Sequence, residues 1–203
     1  MKKILAAVLT LILALSSVCA LAENIRWIKY ESDEFGYSIE YPESWMALDP
    51  ETIAMITLLS GVGDEIEGYT TEELSDMAAD KNIVTFSPLD ASGFNYSVDV
   101  NELGVSLPAS MLAMLLCPEV TGQMEAVMPG VTVIEEGDVV TVNGQSFAHI
   151  HLKYEAYGDT YHSEQYYISN GVDLVTVTLT VLEEGYDDAA QMLRHALGTL
   201  SFK

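Results

Sequence analysis

Apolar and polar positions alternate over much of the chain after about residue 25, and a strand-rich fold follows from that period of two. Ile25 to Tyr30 predicts a short strand, and Ser32-Asp33-Glu34 a turn. Phe35, Tyr37, Ile39 and Tyr41 then alternate with Gly36, Ser38 and Glu40 in a second strand that Pro42 stops before Trp45. Thr52 to Ser60 predicts a short helix, broken by Gly61-Val62-Gly63-Asp64. Thr70 and Glu73 have the spacing of a capping box, opening a helix to about Lys81. Ile83 to Phe86 and Phe94 to Val100 predict strands flanking a loop.

Ala109 to Met128 is a long apolar segment after Pro108. It predicts the longest helix, kinked or divided at Pro118, which lacks an N–H to continue the ladder. Val131 to Glu135 and Val139 to Val142 predict two strands, and Asn143-Gly144 a two-residue hairpin. Ser146 to Tyr157 and Thr160 to Ile168 meet across Gly158-Asp159, and Asn170-Gly171 turns the chain into Leu174 to Leu182. Asp187 caps a last helix whose Ala189, Leu193, Ala196 or Leu197 and Leu200 share one face. The order predicts an α+β fold with helices packed on a mostly antiparallel sheet.

The first residues lie outside that pattern. Lys2 and Lys3, the apolar run from Ile4 to Leu15, and Ala20-Leu21-Ala22 read as a secretory signal peptide over 1–22, cleaved before Glu23. The run is too short to span a bilayer comfortably, so no stable membrane insertion is expected after cleavage. Val18 stands before Cys19 where lipidation needs a small residue. The working molecule is then one domain over 23–203, secreted or held in a periplasmic or cell-surface compartment. It keeps only Cys117, so no intrachain disulfide supports it.

The whole chain carries 8 Lys and Arg against 31 Asp and Glu, a formal charge of −23. Losing the signal removes two lysines and no acid. Such a field repels nucleic acid and anionic membranes, and favours cations or basic partners. The acids are scattered, which suits a solvated surface.

Motifs for nucleotide binding, metalloprotease chemistry, a serine elbow and the EF-hand loop are absent. No catalytic residue and no cofactor is assigned. Cys117 lies in the apolar run from Met111 and reads as a buried structural thiol. The candidate metal set is His149, His151 and Glu164. In a strand His149 and His151 share a face. A turn at Gly158-Asp159 would pair Tyr157 with Thr160, and hence Lys153 with Glu164, Glu155 with His162 and His151 with Tyr166. Glu164 is then diagonal to His151, and the set would suit zinc. On that register His162 is too far along to join, and Lys153 neutralises Glu164. The histidines are therefore expected to line the edge of a helix-covered face. Phe35, Tyr37, Tyr41, Tyr166 and Tyr167 are expected in the core.

Two stretches carry a family resemblance. Phe35-Gly36-Tyr37-Ser38-Ile39-Glu40-Tyr41-Pro42-Glu43-Ser44-Trp45 resembles the opening of the PsbP/Mog-like superfamily. The end resembles it too: Gln165 and Tyr166, the Asn170-Gly171 turn, Val175-Thr176-Val177-Thr178, a helix, then Ser201-Phe202-Lys203. The resemblance implies an α/β/α sandwich with a central, mostly antiparallel sheet. It also implies action by binding other proteins, with no shared catalytic residue to transfer. The acidic, lysine-poor surface departs from plastid members, so a photosystem role does not carry over. The expected function is an exported, non-catalytic binding module with a protein partner. The alternative is an extracellular divalent-cation binder using His149 and His151 or the acidic surface. A hydrolase, lacking an assembled nucleophile and base, ranks last.

Overall fold

A computed structural model describes residues 25–48, 83–88, 94–127, 130–156 and 158–203. The signal-peptide segment and the helices expected over 52–60 and 70–81 lie outside the described residues. Ten strands and three α-helices are described: β1 (Trp27–Ser32), β2 (Tyr37–Pro42), β3 (Trp45–Leu48), β4 (Ile83–Pro88), β5 (Asn95–Glu102), α1 (Ala109–Leu115), α2 (Cys117–Val127), β6 (Thr132–Val142), β7 (Gln145–Ala156), β8 (Asp159–Asn170), β9 (Asp173–Leu182), α3 (Tyr186–Thr199) and β10 (Ser201–Phe202). Glu183–Gly185 forms a 3₁₀ turn leading into α3.

A seven-stranded sheet runs β3-β4-β5-β9-β8-β7-β6, and a three-stranded sheet runs β1-β2-β10. Every pairing is antiparallel. One face of the large sheet packs on α1 and α2 through Ala148, Ile150, Leu152 and Tyr167, against Leu112, Ala113, Cys117 and Met124. The other face presents Phe147, Tyr166, Val177 and Leu179 to Leu193, Ala196 and Leu197 of α3 and to the small sheet. Strict alternation along β7 is therefore a requirement, because both faces of that strand are covered. Aromatics join the two sheets: Phe86 meets Tyr41 and Tyr96 at 4.9 Å each, and the Tyr96 hydroxyl donates to the carbonyl of Glu40 at 2.7 Å. A side chain of this kind, fully buried, stabilises by about 2 kcal/mol.

The expected helix over 109–128 is two helices. Leu116 N–H still donates to Leu112 and Val120 N–H to Leu116, but Pro118 has nothing to donate between them. The two strands expected over 131–142 are one strand, β6, whose register slips between Val133 and Glu135 and again between Glu136 and Asp138. Asn143 and Gly144 both adopt positive φ (47° and 83°), as a two-residue hairpin of this hand requires.

Gly137 sits in the second irregularity of β6 with φ +74°. A Cβ built on it would stand 3.0 Å from the Ala113 carbonyl oxygen of α1, so glycine is what lets helix and bulged strand approach. Gly137→Ala is expected to destabilise by about 2 kcal/mol, from the left-handed φ together with the backbone contact. Urea midpoints of the two proteins measure it. Equal midpoints would mean that α1 does not rest on this glycine.

Candidate functional site

Three neighbouring strands and the start of α3 converge on one polar cluster, built on the α3 face of the large sheet. β7 supplies His149 and His151, β8 supplies His162, Glu164 and Tyr166, and α3 supplies Tyr186. Both histidines of β7, His162 and Glu164 are buried. Glu135 of β6 and Lys153 of β7 stand at the rim.

The register that assembles this cluster differs from the one read in the sequence. Ala156 pairs with Asp159, and Gly158 takes φ +93°, so the turn falls one residue earlier than Gly158-Asp159. Every residue of β7 consequently faces a β8 residue two positions earlier than expected. His151 lies opposite Glu164, Lys153 opposite His162, and His149 opposite Tyr166. The faces are unchanged, because a shift of two preserves the alternation of the strand. The neighbours change completely. Lys153 does not neutralise Glu164; it pairs with Glu183. His162, which the sequence register kept out, comes diagonal to His151, with His151 Nε2 at 2.8 Å from His162 Nδ1.

Glu164 is the hub. Its Oε2 accepts from the Tyr166 hydroxyl and lies 3.3 Å from His149 Nε2, while its Oε1 accepts from the Tyr186 hydroxyl. Burial alone would raise its pKa; the hydrogen bonds from His149, Tyr166 and Tyr186 overcome that and bring it down to about 2. A carboxylate can only accept, so the proton in the contact with His149 sits on Nε2. The other ring nitrogen, Nδ1, is buried 3.2 Å from Glu135 Oε2 without hydrogen-bond alignment. Tyr186 covers the pair of imidazoles, stacking on His162 at 4.2 Å and on His151 at 5.0 Å. Its phenol pKa is raised by burial and by the Glu164 carboxylate to which it donates.

The contact between His151 and His162 fixes a protonation limit. One nitrogen must donate and the other accept, so the two rings cannot both be cationic while it persists. Burial lowers both pKa values.

Of the three residues expected as metal ligands, His149 and Glu164 are in contact, and His151 lies beside them with its ring 6.5 Å from that of His149. The Glu164 oxygens are engaged by Tyr166, Tyr186 and His149 Nε2, and His151 Nε2 by His162, while His149 Nδ1 has no hydrogen-bond partner. Among the described residues, no three His, Cys, Asp or Glu side chains converge as a metal ion requires. Micromolar zinc is expected to leave the melting temperature unchanged. A specific native-state ligand would add about 2.7 kcal/mol at a hundredfold excess over its Kd, a rise on the order of 5 °C at this size. A rise of that size, abolished by His149→Ala or His151→Ala, would establish the cation site instead. Cys117 is buried, and burial raises its pKa, which keeps it a thiol rather than the thiolate a nucleophile needs.

Sequence reasoning missed His162, Tyr166 and Tyr186 as members of the cluster. His162 and Tyr166 share the parity of Glu164 on β8, which was the available signal. Nothing in the local pattern marks Tyr186.

The sheet order, the helices on both of its faces and the strand at the chain end make this a PsbP/Mog-like fold. Solved structures from several organisms share it. Cyanobacterial PsbP (CyanoP) from Synechocystis sp. PCC 6803 superposes with a TM-score of 0.57 at 16% identity, over 92% of this chain and 98% of that one. The Saccharomyces cerevisiae Ran-binding protein Mog1p gives 0.51 at 8% identity, over 88% and 96%. LpqN, involved in cell envelope biogenesis of Mycobacterium tuberculosis, gives 0.50 at 12% identity, over 89% and 92%. At such identities the likeness concerns the fold alone. No family model matches the chain, and neither does any curated protein.

Proposed function

We propose that the chain is an exported, non-catalytic module that acts by binding another protein. The observation that supports this is the inward closure of the polar cluster. Catalytic acids and bases must touch a substrate, yet His151 and His162 are buried and bonded to each other under the ring of Tyr186, and buried Glu164 accepts from the hydroxyls of Tyr166 and Tyr186. The cluster thereby acts as a polar staple between the sheet and the start of α3. The Ran-binding protein among the structural neighbours shows that this fold can serve as a binding scaffold, and the acidic surface favours a basic partner.

Two experiments test the reading. Full chain used as bait, with chemical crosslinks mapped on it, is expected to give saturable capture of a protein at defined positions. Turnover on a panel of ester, peptide and glycoside substrates, lost in His151→Gln and Glu164→Gln, would replace binding with catalysis. For export, mass spectrometry of the secreted protein is expected to find Glu23 at the N-terminus. Retained Met1, or lipid on Cys19, would contradict it.

A further inference from the structure

The described part of the chain holds a second unusual feature, on the opposite face of the sheet. α1 reads Ala-Ser-Met-Leu-Ala-Met-Leu, with no charge anywhere along it. Leu112 and Ala113 face the sheet and are buried. Met111, Met114 and Leu115 point outward with 39%, 65% and 55% of their surface exposed. A helix apolar on all sides is normally buried on all sides. Here three large side chains at i, i+3 and i+4 form an outward ridge, which is the spacing that interlocks with the groove of another helix. Two of the three are methionines, whose flexible thioethers fit varied apolar partners.

The segments that carry and flank this ridge in sequence, β5 to β7, hold charge of one sign up to Lys153. No lysine or arginine occurs between Lys81 and Lys153. Glu119 and Glu125 are exposed on α2, and Glu136 of β6 lies near enough to Cys117 to raise the thiol pKa. A second copy of this chain would bring −23 against −23, and an anionic membrane would be repelled likewise. The complementary occupant is a cationic one.

We propose that the Met111, Met114 and Leu115 ridge of α1, in its acidic surround, is a docking surface for a basic amphipathic α-helix of another protein. The inference rests on the reading of the chain as a binding module and names the surface and the partner chemistry. Apolar contact at the ridge supplies specificity, and the acidic surround accelerates encounter and orients the helix.

The test uses a labelled peptide of about 18 residues with leucine at i, i+3, i+4 and i+7 and lysine elsewhere, long enough to form a helix on contact. Controls are a scrambled peptide of the same composition and a peptide with glutamate in place of lysine. The purified chain is expected to bind the first, to bind both controls at least about tenfold more weakly, and to lose affinity as salt is raised from about 0.05 to 0.5 M. The double substitution Met114→Ser with Leu115→Ser alters only exposed side chains and no charge. It is expected to reduce affinity at least about tenfold while the melting temperature stays within about 2 °C. Three outcomes would overturn the proposal: no binding of the amphipathic peptide, equal binding of it and the scrambled peptide that ignores the substitutions, or self-association in sedimentation that the same substitutions abolish. Failure here, with crosslinked capture of a native partner at other positions, would refute this surface and leave the binding function standing.

Discussion

Glu164→Leu is expected to lower the melting temperature by on the order of 10 °C. Leucine fills much of the space but accepts nothing, so the hydroxyls of Tyr166 and Tyr186 and the Nε2 proton of His149 all lose their acceptor at once. Breaking a buried, paired charge by removing one partner costs about 3–5 kcal/mol. In a domain near this size each kilocalorie moves the midpoint by about 2–4 °C. Glu164→Gln is expected to fall between parent and leucine variant. Its carbonyl still accepts from one side, and the Tyr186 hydroxyl can rotate to accept from the new amide. Tyr186→Phe alone should cost about 1 kcal/mol, and close to nothing when added to Glu164→Leu, because the two share one hydrogen bond. Calorimetry of the parent and the four variants measures the set. A leucine variant within about 1 kcal/mol of the parent would show that Glu164 is not the hub of the cluster.

Acid is the second large lever, and it acts in two windows. His151 and His162 hold their protons less tightly when folded than when unfolded. Burial is the main cause for both; His162 and His149 add to it for His151, and Lys153 adds to it for His162. Glu164 and Glu135 oppose the shift at His151, and Glu183, Glu164 and Asp187 oppose it at His162. Below the ordinary histidine pKa, about 6.5, the unfolded chain therefore binds more protons than the native one, and stability falls as the pH falls. The geometry gives the same direction, since a second proton on the imidazole pair breaks the 2.8 Å contact between them. Glu164, held at about 2 against an ordinary 4.5, adds a lower window. Its stabilisation is complete above about 4.5 and is lost between there and about 2, in all about 3 kcal/mol. Urea midpoints measured from pH 8 to pH 3 are expected to decline through both windows. His162→Gln should flatten the upper window, and Glu164→Leu should remove the lower one. Stability that stays level from pH 7 to pH 5, or rises on acidification, would refute a buried neutral imidazole pair.

The local pattern was a sound guide wherever one face of an element is buried. The antiparallel character, the strand at Tyr37–Pro42, the Asn143-Gly144 hairpin and the inward face of α3 all follow from periodicity and turn residues that act within a few positions. The same holds for Tyr37, Tyr166 and Tyr167, which are buried as expected. Pro118 marked a break in the helical segment because its missing N–H is a local property.

Register was decided elsewhere. Alternation in β7 and β8 fixes which face a side chain takes, and is indifferent to a slide of two residues. The slide was settled by where Gly158 takes its positive φ, and by the packing of β8 on β9 along its length. That slide alone took Lys153 from its expected place opposite Glu164, leaving it to pair with Glu183 instead, and brought His162 beside His151. Tyr186 joined for a different reason. It lies beyond β9 and a 3₁₀ turn, and only the docking of α3 on the sheet brings its ring over His151 and His162. The sequence by itself determined most of the strands, their faces and the acidic charge, because these depend on neighbours along the chain. Tertiary structure decided which polar groups touch, because contact across strands depends on register and on docking, and neither is written in any one segment.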